Sequence, residues 1–96
     1  MNLRLVEMNN IGKMTWYDAV TYCIKNPEWR LPNRKELNEI YKSYYKKGIG
    51  NFEPTYYWTV DELSMAYAWS LNFDTGVLHY YTKMQKNNVT LVKNGI

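Results

Sequence analysis

The chain has 96 residues and a mass of 11.5 kDa, room for a single domain over residues 1–96. It is 46% hydrophobic and 22% charged, a balance that excludes a disordered chain. Cys23 is the single cysteine, which excludes a disulfide scaffold. No unbroken apolar run approaches the roughly 20 residues of a membrane-spanning helix.

The stretch Met1–Asn10 lacks the apolar centre of a signal peptide, so a cytoplasmic product is expected. The net charge is +3, from 12 Lys and Arg against 9 Asp and Glu. That excess is smaller than a dedicated nucleic-acid binder carries, so nucleic acid is not the expected partner. Aromatic residues are the stronger bias: ten Tyr and four Trp occur in this short chain.

In chain order, Asn2–Met8 alternates Leu3 and Leu5 and predicts a short strand. Asn9, Asn10 and Gly12 predict a turn. Thr15 begins a capping-box-like sequence with Asp18 three residues on. Trp16, Ala19, Val20, Cys23 and Ile24 then form one apolar helical stripe. Lys25 and Asn26 close that helix before Pro27. Trp29–Pro32 is extended, because Leu31 precedes a proline. Asn33 caps a second helix with Glu36 as its box partner. Leu37, Ile40, Tyr41 and Tyr44 form its buried stripe, and Gly48 and Gly50 end it.

The second half changes period. Tyr56–Thr59 is aromatic and β-branched, hence strand-like. Across Ala66–Phe73, Tyr67, Trp69, Leu71 and Phe73 point one way, and Ala68, Ser70 and Asn72 the other. Asp74-Thr75-Gly76 predicts a hairpin turn and Val77–Lys83 its return strand. Gln85–Asn88 is a polar turn before a last strand, Val89–Lys93. The expected fold class is α+β, with two helices packed on a small antiparallel β-sheet. The first strand has no local partner, so pairing of the N- and C-terminal strands is expected.

A search for chemistry finds no constellation. One Cys and one His do not make a zinc site. A Cys23–His79 nucleophile is disfavoured because Cys23 falls on the buried stripe, where a thiol acts as a small hydrophobe. Asp61 and Glu62 are adjacent on a strand and point to opposite faces, which argues against shared acid–base work. Gly48-Ile49-Gly50 lacks the strand and helix of a phosphate loop. Expectation therefore runs to no catalytic residues, no metal and no cofactor. What remains is surface. Three Tyr pairs, Tyr44-Tyr45, Tyr56-Tyr57 and Tyr80-Tyr81, each place one ring inward and one outward. His79, Tyr81 and Lys83 alternate on one strand and predict a patch with Tyr67 or Tyr57. The candidate binding residues are Tyr45, Tyr56, Tyr57, His79 and Tyr81 with Lys46, Lys47 and Lys83.

Several segments together resemble a known family. They are Met14-Thr15-Trp16-Tyr17-Asp18-Ala19-Val20, Trp29-Arg30-Leu31-Pro32-Asn33-Arg34-Lys35-Glu36-Leu37, Tyr57-Trp58-Thr59 and Ala68-Trp69-Ser70-Leu71-Asn72-Phe73, with Gly76 and Tyr80-Tyr81. The family is the Lcl C-terminal domain, named from a collagen-like bacterial adhesin and found also in phage and bacterial proteins. The resemblance runs from about Lys13 to Lys93 and implies a variant of the C-type-lectin-like fold. In that reading Trp29, Leu31, Trp58 and Trp69 are core anchors, and Arg30 bonds carbonyls left over at an element end.

The calcium-binding lectins of this fold use a Glu-Pro-Asn tripeptide, whereas this chain has Glu53-Pro54-Thr55, which reads as a turn. The fold's oxidase branch needs paired cysteines, which Cys23 alone does not supply. Two functions are thus expected, the first from the lack of a chemical constellation and the aromatic, basic surface, the second from the adhesin resemblance. The first is a non-catalytic, protein-binding module, a phage or mobile-element accessory that occupies a host protein. The second is a carbohydrate-binding domain, with Asn72, Asn87 and Asn88 beside exposed aromatics.

Overall fold

The computed structural model describes residues 8–93. Its elements are β1 (Met8–Met14), α1 (Trp16–Lys25), β2 (Trp29–Arg30), α2 (Arg34–Ser43), β3 (Tyr56–Glu62), β4 (Tyr67–Asn72), β5 (Leu78–Thr82) and β6 (Asn87–Lys93). A single 3₁₀ turn, Tyr45–Lys47, follows α2. The sheet order is β1-β6-β3-β4-β5, with β2 also paired to β6.

The terminal strands pair as expected, Met8 against Val92 through Met14 against Asn87. Two expectations about the sheet need correction. The sheet is mixed, because β6 lies parallel to β3 at Tyr57 and Asn88. Alternation in a sequence fixes which residues share a face, but not the direction in which distant strands meet. The predicted turn at Asn9–Gly12 is also absent. Those residues lie within β1, whose register shifts between Asn10 and Gly12, with Gly12 at φ 93°. The turn signal was that of a β-bulge. The strand expected over Asn2–Met8 falls outside the described residues except for Met8.

Both helices begin where their caps predict. The Thr15 hydroxyl accepts from the Asp18 amide at 3.1 Å. Asn33 and Glu36 form a complete capping box, with each side chain accepting from the other's backbone amide at 2.8 and 2.9 Å. The two helices cover opposite faces of the sheet. Trp16 and Ala19 of α1 pack with Leu31, Trp58, Ala68, Val89 and Leu91. Leu37 and Ile40 of α2, with Tyr44, pack on Tyr57, Leu71, Phe73 and Val92. Neighbours 57/58 and 91/92 thus serve different cores, as alternation along a strand requires. The interior strand β6 is buried along nearly its whole length.

The buried indoles are Trp16 and Trp58. Each is anchored by its ring nitrogen, which donates to Thr59 O at 2.9 Å and Met14 O at 3.0 Å respectively. Trp29 and Trp69, expected in the core, are only half-buried. Ile24 leaves the apolar stripe of α1 and is 74% exposed, because β2 and Leu31 cover only the side of the helix that carries Ala19 and Cys23.

The hairpin between β4 and β5 turns where the sequence indicates. Gly76 has φ 76°, and a Cβ there would lie 2.8 Å from the Tyr41 ring. Both conformation and space therefore require glycine.

Candidate functional site

The Trp-Arg-Leu-Pro-Asn segment sets the start of α2, and through it the site. Arg30 does not bond stray carbonyls, as expected from sequence. It makes a two-pronged ion pair with the buried Glu36, at 2.7 and 2.6 Å. Burial alone would raise the Glu36 carboxyl. The Arg30 hydrogen bonds, the Asn33 amide and the Arg30 charge outweigh it and hold the carboxyl below its usual range. One residue past the cap, Arg34 donates from its amide and its Nε to Asp61 Oδ2, at 2.8 and 3.1 Å. The Arg34 guanidinium also lies over the Trp69 ring, 5.7 Å from its centroid.

The first turn of α2 is thereby fixed above β3 and β4, with an open groove of about 660 Å³ beside it. Arg34, Lys35, Asn38 and Asp61 rim the groove, and Leu71 and Leu78 form part of its floor. The same face of β4 and β5 continues outward as an aromatic surface. Tyr80 meets Tyr67 edge-on at 5.8 Å and Trp69 edge-on at 5.5 Å. Tyr80 is 53% exposed and Tyr67 42%. A helix of ten residues is only about 15 Å long at 1.5 Å per residue. It covers Leu71 and Phe73 and leaves this end of the sheet open.

The eight residues expected to bind fall into four places. Tyr56, His79 and Tyr81 do meet, on the α1 face of the sheet at its β5 end. Tyr56 and Tyr81 lie 4.8 Å apart, and His79 lies 6.1 and 6.3 Å from them. Burial, with the Tyr56 hydrogen bond and charge, pushes the Tyr81 phenol up to about 12. Tyr45 stacks on Tyr41 beyond the end of α2, with Lys46 over the Tyr41 ring and Lys47 beside it.

Tyr57 and Lys83 are corrections, because both are buried. The Tyr57 hydroxyl accepts from the Glu53 amide at 2.8 Å inside the α2 core. Lys83 donates to Glu62 Oε1 at 2.5 Å and to Met65 O at 2.9 Å, with its ammonium 4.4 Å from the centre of the Trp16 ring. Lys83, one residue past the end of β5, keeps the α1-face phase of His79 and Tyr81, but there it runs in under the Trp16 indole and is buried. The expected patch of His79, Tyr81 and Lys83 with Tyr67 or Tyr57 therefore does not form. Tyr57 and Tyr67 belong to the opposite face.

The sequence of the whole domain matches the Lcl C-terminal domain over residues 4–93. The chain belongs to the Lcl C-terminal domain family. A search of curated proteins gave no match.

In this Lcl C-terminal domain the polar residues considered for chemistry or sugar binding are tied into the scaffold. Asp61 and Glu62 form separate ion pairs with Arg34 and Lys83. Asn72 accepts from the Asp74 amide, Asn87 donates to Ser70, and Asn88 donates to Glu53. Cys23 lies among Val20, Trp29 and Leu31 beneath a smaller apolar pocket of about 300 Å³. Burial pushes its thiol up, against a smaller opposing effect of a hydrogen bond with the Leu31 backbone. Among the described residues no three His, Cys, Asp or Glu side chains gather as a metal site. No described helix is long and apolar enough to cross a membrane.

The residues that sequence reasoning missed are Arg34, Trp69, Leu78 and Tyr80, while Tyr67 is expected in a patch with His79 and Tyr81 but lies with Tyr80 on the opposite face. A usable signal existed. Tyr67 and Trp69 share a face with Leu71, and a ten-residue helix does not reach all three.

Proposed function

We propose that this Lcl C-terminal domain is a non-catalytic binding module whose partner is a protein. The observation that carries the reading is the uncovered aromatic floor of Tyr67, Trp69, Leu78 and Tyr80, with Arg34 and Lys35 on its rim. Rigid Tyr and Trp rings supply large contact area at small entropic cost, and Arg and Tyr are enriched where proteins dock. The partner is a host protein that the module occupies or blocks. The cytoplasm is the compartment of action, to which an unpaired cysteine is suited. The C-type-lectin-like fold is also part of this reading. Its support is the pairing of first and last strands and the two helices flanking the sheet.

The immobilised domain should recover a stoichiometric protein from host lysate, and a Tyr67→Ala/Tyr80→Ala variant should lose it. Equal recovery by the variant, or no stoichiometric partner, sinks the reading. A glycan is the second reading, favoured by Asn38 beside the groove. A glycan array without hits, with and without calcium, removes it.

A further inference from the structure

The sheet has two edges, and they are built differently. At the β1 edge the register breaks between Asn10 and Gly12, and Lys13 follows. A bulge and a lysine are what blunt an edge against added strands. At the β5 edge neither is present. Leu78–Thr82 runs in unbroken register with β4, from Leu71 against Leu78 to Tyr67 against Thr82. It contains no Gly, Pro, Lys or acidic residue.

Two flanking hydrogen bonds fix the phase of this edge. Asn72 N donates to Val77 O at 3.0 Å, and Lys83 N donates to Ala66 O at 2.9 Å. In an antiparallel ladder the residues bonded to the neighbour alternate. Residues 77, 79, 81 and 83 therefore turn their backbone groups toward β4. Leu78, Tyr80 and Thr82 turn theirs outward. Among the described residues no strand lies on that side. Of these outward groups the Thr82 carbonyl also accepts from Gln85 N in the following turn, at 2.9 Å.

We propose that a second copy of this chain occupies the edge, giving a two-fold dimer joined β5 to β5. A repeating row of backbone donors and acceptors is matched by another strand. The outward groups are symmetric about Tyr80, so antiparallel pairing centred there sets Leu78 against Thr82 of the second copy and Tyr80 against Tyr80. On the α1 face His79 then meets Tyr81 of the second copy. The strand holds no Lys, Arg, Asp or Glu, and across the axis His79 faces Tyr81 rather than a second histidine, so no like charges meet. Strand addition at β1 is blocked by its bulge, so the contact closes at two copies rather than extending into a filament. The two aromatic floors join at the Tyr80 pair into one longer binding surface.

Size-exclusion chromatography with light scattering tests this on the chain alone, whether or not a partner protein is found. The expected mass is twice 11.5 kDa. Tyr80→Pro removes an outward N–H and leaves the β4 ladder intact. It should give a monomer with an unchanged circular dichroism spectrum. Tyr80→Lys, which sets two ammonium groups face to face, should do the same without constraining the backbone. A wild-type chain that stays monomeric into the millimolar range overturns the proposal. So does a dimer that persists in either variant while folded. An extended segment of another protein as the natural occupant would appear as that monomeric wild type.

Discussion

The Arg30–Glu36 pair gives the sharpest energetic test, because its two members sit in different environments. Glu36 is 2% exposed, whereas Arg30 is 31% exposed. Replacing Arg30 by Ala strands a buried carboxylate that retains only its capping bond from Asn33. Removing one member of a buried pair costs about 3–5 kcal/mol. Water can follow the partly exposed arginine into the gap, which places the expected loss at the lower end, about 3 kcal/mol. Urea unfolding followed by tryptophan fluorescence reads this as a lower midpoint at unchanged slope.

The loss should also depend on pH. The Glu36 carboxyl is held below its ordinary value of 4.5 in the folded wild type. Its stabilisation is therefore full above 4.5 and is lost as the pH falls through the depressed folded value. In Arg30→Ala, burial dominates and favours the protonated acid. The gap between wild type and variant should thus narrow on acidification. Two results would refute the reasoning. One is a loss near zero at neutral pH, as for an exposed ion pair of roughly 0–1 kcal/mol. The other is a gap that does not change on acidification.

Three further outcomes follow from the packing. Trp58→Ala should cost about 3–5 kcal/mol, and the half-buried Trp69→Ala clearly less, in parallel denaturation curves. Gly76→Ala should cost about 1–3 kcal/mol, because it forces a positive φ as well as a clash with Tyr41. An unchanged melting temperature would contradict that. The Tyr81 phenol should titrate near 12 by ultraviolet absorbance, and Tyr56→Phe should bring it down. Because the folded value lies above the ordinary 10, this contribution to stability is present below 10 and fades as pH rises toward 12.

The helices were legible because their signals are local. Thr15 and Asn33 cap within three residues, and the stripe through Leu37 and Ile40 needs only helical spacing. The hairpin at Asp74–Gly76 was legible for the same reason. The direction of β6 against β3 was not, since no short-range pattern encodes how distant strands meet. Asn9, Asn10 and Gly12 misled because a bulge and a turn recruit the same residues. Arg30 was assigned to the scaffold correctly but to the wrong acceptor. Its partner Glu36 had already been used as a capping residue, and a carboxylate with two oxygens can serve both. Lysine usually lies at the surface, so composition and spacing alone point Lys83 outward. Its burial depends on Trp16, Glu62 and Met65 arriving from three other segments. The floor of Tyr67, Trp69 and Tyr80 was hidden by the assumption that Trp69 belongs to the core.

In the proposed function this uncovered floor, and not another face of the domain, receives the partner. Chemical footprinting of the captured complex against the free domain tests it most directly. Tyr67 and Tyr17 are nearly equally exposed, at 42% and 45%, and Tyr17 lies on α1 across the sheet. The partner should protect Tyr67 from iodination and Lys35 from acetylation, while Tyr17 and Lys46 keep their reactivity. Protection of Tyr17 or Lys46 with Tyr67 and Lys35 unchanged would contradict it.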